Sequence, residues 1–486
     1  MTKEKYIQEI DRVISQGPYS DTWESLCEHS IPRWYRKAKF GIFIHWGVYS
    51  VPAFGNEWYP RNMYKTNSRE NKFHLEKFGT TEQFGYKDFI PMFRAENFCA
   101  EEWIALLKQT GACFITPVGE HHDGFQMYDS ELSHWNAVEM GPKRDVLGEL
   151  KKAAEDAGMT FCTSSHRAEH WWFFNYGRVY KNGDVLQDEF KEFYGPAAGI
   201  TRNQDSLYDN QPDKAFMEEW LVRTCELVDK YQPQMLYFDW WIQVSAFKPY
   251  LKKFAAYYYN RGKEWGKEVA IAAKFDAFVH GSVVKDIERG KLGEISPDCW
   301  QSDTSTARNA WCYTSENVYK SAEEILWDLI DVVSKNGVIL LNIGPKADGT
   351  ISQEEQSILQ EIGQWMVCNG DAIYDTVPWK IFGEGPTRMK EGHFQDGKIL
   401  EFTSEDIRFT AKADVIYAIV MKWPEDGVVR IRSLGVNAKF LYSSIRNIEI
   451  LGQDNCPLYE YREDWLEVTT GLYEQTKPVV LKITID

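Results

Sequence analysis

The sequence predicts the α/β fold class, with a (β/α)8-like, TIM-type barrel followed by a C-terminal antiparallel β-sandwich. Between about residues 38 and 370, short apolar runs alternate with longer helical stretches, a pattern typical of a parallel sheet. No Gly-rich G-x-G-x-x-G turn follows any of these runs, which favours a barrel over a doubly wound dinucleotide-binding sheet. After about Trp379 only short β-rich runs remain, so we expect a barrel over residues 1–379 and a sandwich over 380–486.

The predicted barrel strands are short apolar runs. They are Phe40–His45, Cys113–Val118, Thr160–Thr163, Met235–Phe238, Val269–Ala273, Ser282–Lys285 and Val338–Asn342. Helices are predicted between them, near 100–111, 144–157, 212–231 and 247–260, then from Ser321 and over 353–367. Ser321 is followed three residues later by Glu324, which is the pattern of a capping box at a helix start. Seven or eight strand-then-helix units fit a barrel.

The C-terminal region has a different sequence pattern. Its β-rich runs mostly alternate apolar and polar residues, and no helical period separates them. The runs are 398–403, Ile407–Lys412, Val415–Met421, Val428–Arg432, Asn447–Leu451, Leu466–Thr469 and Val479–Thr484. Turn residues recur between them at intervals of about ten residues, as in sandwiches.

The charge balance and the N-terminal sequence indicate which partners and which cellular compartment to expect. The chain has 55 Lys plus Arg against 72 Asp plus Glu, a net charge of −17, and no basic cluster, so nucleic acid is not expected as a partner. No apolar leader follows Met1 and no window approaches about 18 apolar residues, so we expect a cytoplasmic protein without a membrane partner. A trimmed exported precursor would look the same. The nine scattered cysteines support neither a disulfide framework nor a zinc knuckle.

Aromatic residues make up 15% of the chain, including 19 Trp. A large aromatic core would account for them, and so would a pocket whose rings pack on the C–H faces of a sugar. Composition leaves both interpretations open.

Polar side chains follow the predicted strands, where barrels carry their functional groups. His45, His121, His122 and His166 follow the first three strands, and Lys274 and Glu288 follow later ones. Asp239 stands directly after an apolar run and before two Trp, which indicates a function because an Asp seldom ends such a run. His121, His122 and Asp123 form a candidate metal set, but H-x-H and H-E-x-x-H spacings are absent.

At these residues the chain resembles family 29 glycoside hydrolases, the retaining α-L-fucosidases, over about residues 30–380. The motifs that carry the resemblance are Phe40–Gly47, Glu57–Tyr59, Glu120–Phe125, Tyr237–Asp239, Leu340–Pro345 with Asp348–Gly349, Asn369–Gly370 and Ala372–Tyr374. Their shared order is specific, although each motif alone is weak. Three departures concern outer sugar contacts: His166 in a usually Tyr-rich segment, Lys274 in place of Arg, and Trp300-Gln301 in place of Trp-Glu.

The resemblance implies a double displacement at the anomeric carbon of α-L-fucose with no cofactor and no metal. It implies that Asp239 is the nucleophile and Glu288 the general acid/base, with Glu294 as the rival and Glu57 third. His45, Glu57, His121 and His122 would bind the fucose hydroxyls, while Trp46, Trp58 and Trp300 would pack the ring and its methyl group. His166, Tyr237 and Lys274 complete the expected substrate-binding residues.

The sequence therefore predicts an exo-acting α-L-fucosidase that hydrolyses terminal fucosyl linkages of an oligosaccharide or glycoconjugate. Two alternatives stay open: a metal-dependent hydrolase built on His121, His122 and Asp123, and a catalytically silent sugar-binding protein. An α-L-galactoside remains a rival substrate, since it differs only by a hydroxyl at C6. Homo-oligomer formation, the natural glycan and the role of the sandwich are left open.

Overall fold

Eight parallel strand positions close into a barrel in the computed structural model, which describes residues 2–199, 211–396, 401–454, 456–471 and 475–486. One position is split into two pieces, β3 and β4, which both pair with β2. The barrel closes because β1 pairs with both β2 and β9. The strands are β1 Phe40–Ile44, β2 Phe114–Glu120, β3 Thr160–Phe161, β4 Thr163–Ser165, β5 Met235–Phe238, β6 Ala270–Lys274, β7 Val284–Asp286, β8 Trp300–Ser305 and β9 Gly337–Ile343.

The helices begin at polar caps and cover the barrel. Ser321 forms the predicted capping box with Glu324, and Asp213 and Ser352 cap two other helices. The helices are α1 Lys3–Gln16, α2 Trp23–Leu26, α3 Arg33–Ala38, α4 Tyr59–Asn62, α5 Arg69–Lys77, α6 Ala100–Gln109, α7 Val146–Asp156, α8 Lys191–Tyr194, α9 Lys214–Tyr231, α10 Lys248–Trp265, α11 Ala322–Ser334 and α12 Gln353–Asn369. None of these described helices has both the length and the apolar character needed to cross a bilayer.

The covering layer is incomplete on one side of the barrel. Residues 275–283 and 287–299 connect β6 to β7 and β7 to β8 without an α-helix. On β7, Asp286 is fully buried inside the barrel, whereas the neighbouring Lys285 is exposed on the outer face. The predicted strand-then-helix repeat therefore breaks at β6 and β7, although the barrel itself is confirmed.

Strand β8 was not predicted from the sequence. Its residues, Trp-Gln-Ser-Asp-Thr-Ser, are mostly polar, yet all six are buried. The polar side chains are satisfied by neighbours: Gln301 donates to Asp286 (2.7 Å) and Ser302 donates to the Gly290 carbonyl (2.9 Å). A hydrophobic pattern cannot reveal a strand whose burial depends on such tertiary hydrogen bonds.

Two antiparallel sheets form the C-terminal region and confirm the predicted β-rich unit. One has the order β10-β11-β12-β17-β14 and the other β13-β16-β15. The strands are β10 Val377–Glu384, β11 Ile407–Lys412, β12 Val415–Val420, β13 Val428–Ile431, β14 Ile445–Ile450, β15 Leu458–Tyr461, β16 Leu466–Thr469 and β17 Val479–Ile485. Of the run predicted at 398–403, residues 398–400 lie outside the described residues and 401–403 form no strand.

Strands β10 and β15 were not predicted, and both lie at sheet edges. Pro378 interrupts the pattern of β10, and all four residues of β15 are exposed, so neither has a clear buried face. Strand β10 runs across the expected boundary at 379/380, and the division into 1–379 and 380–486 stays a prediction. The C-terminal sheet is joined to the barrel by Arg408, whose Nε lies 2.8 Å from the Asp331 Oδ1 of α11.

Candidate active site

A pocket with an empty volume of about 320 Å³, its mouth included, opens at the carboxyl ends of the barrel strands. The pocket brings together ten of the twelve sequence-predicted site residues. Its lining is Phe43, His45, Glu57, Trp58, His121, His122, His166, Tyr237, Asp239, Trp240, Lys274, Glu288, Asp303 and Trp311, so the predicted Asp239, Glu288 and Lys274 are among them.

Asp239 lies directly after β5, where its carboxylate is held from two sides. Its Oδ1 lies 2.8 Å from the Lys274 Nζ, and its Oδ2 accepts a hydrogen bond from the His166 Nδ1 at 3.1 Å. Burial alone would raise the pKa of Asp239, but the Lys274 ammonium and the His166 hydrogen bond hold that pKa well below its usual range. The carboxylate is therefore ionised and fixed in direction.

Glu288 follows β7 and shares the same ammonium. Its Oε2 lies 2.6 Å from the Lys274 Nζ. Burial, with further contributions from Asp303 and Asp239, raises the pKa of Glu288 to about 7 in spite of Lys274. The two carboxyl groups that contact Lys274 therefore have pKa values shifted in opposite directions. Neither Arg289 nor Lys285 neutralises Glu288, since Arg289 pairs with Asp396 at 3.2 Å.

The two other candidates for the general acid/base, Glu294 and Glu57, have different surroundings from Glu288. Glu294 is exposed on the loop after β7 and does not line the pocket. Glu57 does line the pocket, where its Oε2 accepts a hydrogen bond from the Trp311 backbone N–H at 2.9 Å. Burial raises the pKa of Glu57. Among the three, Glu288 is the carboxyl that shares an ion-pair partner with Asp239.

His45 and His121 lie on one side of the pocket. The His45 Nδ1–H donates to the Asn342 Oδ1 at 2.7 Å, which leaves Nε2 as an acceptor. The His121 Nδ1 has no hydrogen-bond partner among the described residues. Burial, reinforced by neighbouring imidazoles, holds the pKa of both rings well below 6.5, so both are neutral at pH 7.

His122 and His166 lie beside Asp239. The His122 Nδ1–H donates to the His166 carbonyl at 3.0 Å, and its Nε2 lies 3.5 Å from the Asp239 Oδ2. Burial lowers the pKa of His122 to about 3. The His166 Nε2 is 2.9 Å from the Ser164 Oγ, so both ring nitrogens of His166 have partners. His166 therefore orients Asp239.

The metal alternative on His121, His122 and Asp123 does not find support in the geometry. Asp123 lies outside the pocket lining, where its Oδ2 accepts from the Tyr86 hydroxyl at 2.6 Å. Within the described chain, the groups with ligand atoms within 4.8 Å of one another are His45, His121, His166 and His122, His166, Asp239. His166 belongs to both groups and already uses its two nitrogens.

The positions of two predicted sugar-binding tryptophans are corrected by the structure. Trp46 points into the core, where its Nε1 donates to the Lys346 carbonyl at 2.7 Å and its ring packs on Trp103. Trp300 begins β8 and therefore lies at the opposite end of the barrel from the pocket. Its Nε1 donates to the Lys335 carbonyl at 2.9 Å. Trp58, by contrast, lines the pocket beside His122.

Sequence reasoning missed four lining residues, which are Phe43, Trp240, Asp303 and Trp311. Asp303 lies on the unpredicted β8, where its Oδ2 is 3.5 Å from the Lys274 Nζ and accepts from the Tyr237 hydroxyl at 2.9 Å. Trp311 and Phe43 supply aromatic walls. Phe43 was inside a predicted strand, and its inward direction could have been read from the alternation of side chains. Trp311 lies on an irregular loop that carries no local signal.

Residues 391–396, called here the C-terminal clasp, close the loop that carries Glu288. The Glu288 backbone N–H donates to the His393 Nδ1 at 3.0 Å, and the Phe394 N–H donates back to the Glu288 carbonyl at 2.8 Å. His393 also stacks on Phe275, with ring centroids 4.6 Å apart. Phe275, Arg289 and Phe394 all have positive φ, a strained conformation that tends to cluster at functional sites.

Replacing Lys274 by methionine should move both limbs of the pH–rate profile to higher pH. The ammonium lowers the pKa of Asp239 and of Glu288, so its loss raises both. Activity below neutral pH should therefore fall most, because Asp239 becomes protonated there. The measurement is kcat/KM against pH for an aryl α-L-fucoside, the substrate that the motif resemblance predicts. Lys291→Met is the control, since Lys291 is equally buried but pairs with Asp328. An unchanged profile for Lys274→Met would contradict this role.

Comparison with known proteins identifies the family. A family profile described as Alpha-L-fucosidase matches residues 6–371, and one described as Alpha-L-fucosidase C-terminal domain matches residues 401–482. Plasma alpha-L-fucosidase of Homo sapiens is 30% identical over 430 residues, covering 84% of this chain and 80% of that protein. Tissue alpha-L-fucosidase of Rattus norvegicus is 30% identical over 431 residues, covering 85% and 81%.

A solved structure supports the same assignment. The structure of Thermotoga maritima alpha-fucosidase in complex with a mechanism-based inhibitor has a TM-score of 0.76 and 28% identity, and the match covers 96% of this chain and 100% of that one. Similarity therefore extends over both the barrel and the C-terminal sheets. The chain belongs to the α-L-fucosidase family of glycoside hydrolases, as its motifs predicted.

Proposed function

We propose that this α-L-fucosidase is an exo-acting, retaining enzyme that removes terminal α-L-fucosyl groups from glycans, with Asp239 as nucleophile and Glu288 as general acid/base. The observation that carries the proposal is the single ammonium of Lys274 between these two carboxyls. Retention requires two carboxyl groups close enough to act on the same anomeric carbon from opposite faces.

The spacing of the two carboxyls supports retention. Both oxygens lie against one nitrogen, at 2.8 and 2.6 Å, so their separation cannot exceed these two distances together. That limit agrees with the roughly 5–5.5 Å between carboxyls in retaining glycosidases, whereas inverting enzymes leave roughly 6.5–9.5 Å for a water molecule.

The protonation states support the proposed roles of Asp239 as nucleophile and Glu288 as general acid/base. A nucleophile must be ionised, and the lowered pKa of Asp239 keeps it so. A general acid must carry a proton near neutral pH, and the pKa of about 7 at Glu288 allows it to donate and then to accept one. The retained pair of carboxyls also argues against a catalytically silent sugar-binding protein.

The lining side chains of the pocket support a deoxy-sugar as the ligand. Neutral His45 offers its Nε2 as an acceptor, and neutral His121 has an Nδ1 without a hydrogen-bond partner among the described residues, which suits hydroxyl groups of defined orientation. Trp58 offers an apolar surface for a C6 methyl group. A comparison of kcat/KM for the aryl α-L-fucoside and the aryl α-L-galactoside tests this preference directly, because the two differ by one hydroxyl.

The stereochemistry of the first product tests the retaining mechanism. Proton NMR of an aryl α-L-fucoside digest should show α-L-fucose before mutarotation, since two displacements restore the starting configuration. The Asp239→Gly variant serves as the enzyme-dependent blank. Initial appearance of the β anomer would overturn the retaining assignment and leave α-L-fucosidase activity intact.

A further inference from the structure

A second, larger cavity lies outside the barrel, at the end opposite the active-site pocket. Its empty volume, the mouth included, is about 2250 Å³, against about 320 Å³ for the active-site pocket. We call it the outer groove and define it by Arg33 and Arg36 of α3, Lys39, Lys285 of β7, and the acidic residues Asp298 and Asp375, all of which line it.

The groove exists because the covering helices are missing beside β7. The connections 275–283 and 287–299 contain no α-helix, so the outer face of β7 is not covered. In a complete barrel a helix would pack on this face. Here the outward side chain of Lys285 opens into the groove instead.

The charges in the groove are unbalanced toward positive. Arg33, Arg36, Lys39 and Lys285 have no carboxylate within 4.0 Å among the residues that the structure describes. The two lining carboxylates are already engaged: Asp375 with the Lys37 Nζ at 2.5 Å and Asp298 with the His280 Nε2 at 3.0 Å. This concentration of free cations is unusual in a chain whose net charge is −17.

Lys39 provides the second, independent observation. It is only 2% exposed and lines the groove, yet its ammonium makes no hydrogen bond or ion pair with any described residue. Burial lowers the pKa of Lys39. The Lys39 side chain is buried except toward the groove, so an anion there would gain a charge-assisted contact with an ammonium that has no carboxylate beside it.

We propose that the outer groove binds a multivalent oxyanion, either a free phosphate or the phosphate of a sugar ester, with Lys39 at its inner wall and Arg33, Arg36 and Lys285 around it. Guanidinium groups suit this ligand because each can form two parallel hydrogen bonds to phosphate oxygens. The proposal does not depend on the fucosidase mechanism, since the groove and the active-site pocket share no lining residue.

Isothermal titration of the full chain with inorganic phosphate, and separately with glucose 6-phosphate, tests the proposal. Wild type should bind at least one of the two, and stronger binding of the ester would identify a sugar phosphate as the source. Lys39→Gln and Arg36→Gln should each weaken binding about ten- to hundredfold. Lys214→Gln is the matched control, because it removes the same charge from α9 at a side chain that is 82% exposed and outside the groove.

Three results would overturn the proposal: no heat of binding for wild type with either probe at millimolar concentration, equal weakening in Lys214→Gln, or unaltered binding in Arg36→Gln. Arg36 is exposed, so its variant keeps the test valid if Lys39→Gln does not fold. Hydrolysis of an aryl α-L-fucoside should be unchanged in Arg36→Gln. Failure of phosphate binding is therefore distinct from failure of the fucosidase mechanism.

Discussion

Asp239→Gly is expected to lose nearly all hydrolysis of an aryl α-L-fucoside, by about 10⁴- to 10⁶-fold in kcat, while the chain stays folded. The reason is that we propose the ionised carboxylate at the end of β5 as the nucleophile, and glycine offers none in its place. Added azide should restore part of the rate, because a small anion fits the space that the carboxylate leaves. The measurements are kcat with and without azide, and circular dichroism of the variant.

Asp303→Gly is the matched control for this result. Asp303 is a buried carboxylate that also lies near the Lys274 Nζ, at 3.5 Å, but we assign it no covalent role. Its variant should lose activity without recovery in azide. Near-normal activity of Asp239→Gly in the absence of azide would exclude it as the nucleophile, and equal azide rescue of both variants would show that rescue is not specific.

Glu288→Ala is expected to lose hydrolysis of natural glycans by about 10²- to 10⁴-fold, the range for loss of a general acid. An activated aryl fucoside departs without protonation, so the first step with that substrate should be far less impaired. The basic limb of the pH–rate profile should disappear, because the group that loses its proton near pH 7 is gone. Single-turnover rates on both substrates measure the difference.

Glu294→Ala should behave like wild type in these assays, since Glu294 is exposed and outside the pocket. The two glutamates lie on the same loop, so this pair separates a role in chemistry from a general effect on the loop. If Glu294→Ala shows the selective loss and Glu288→Ala keeps the wild-type pH profile, the acid/base assignment passes to Glu294.

The position of Asp239 was predictable from local sequence, because a carboxylate after a buried apolar run has no structural need to be there. The same reasoning located the histidines and Lys274 at strand ends. Their contacts were not predictable in this way. Lys274 contacts both Asp239 and Glu288 because β5, β6 and β7 lie side by side in the barrel. The sequence pattern predicts the order of these strands along the chain, but it does not predict which side chains meet.

Other features left no local signal at all. Strand β8 is buried through hydrogen bonds rather than apolar side chains, so its residues resemble a loop. For Trp46 and Trp300 the sequence predicted a sugar contact that the structure does not have. An aromatic residue near a sugar-binding motif can equally belong to the hydrophobic core. The Glu288 and His393 contact joins residues 105 positions apart, and only the folded chain brings them together.

The C-terminal clasp connects the chain segment after β10 to the barrel loop that carries Glu288. The segment that fixes the backbone of Glu288 comes after β10, so the chain must enter the C-terminal sheets and return to the barrel before the Glu288 loop is complete. Exchange of the C-terminal region, if it included the clasp, would therefore replace the contacts that hold the Glu288 backbone. Such chimaeras would inherit their leaving-group preference partly from the donor of the sheets, even though every carboxylate belongs to the barrel.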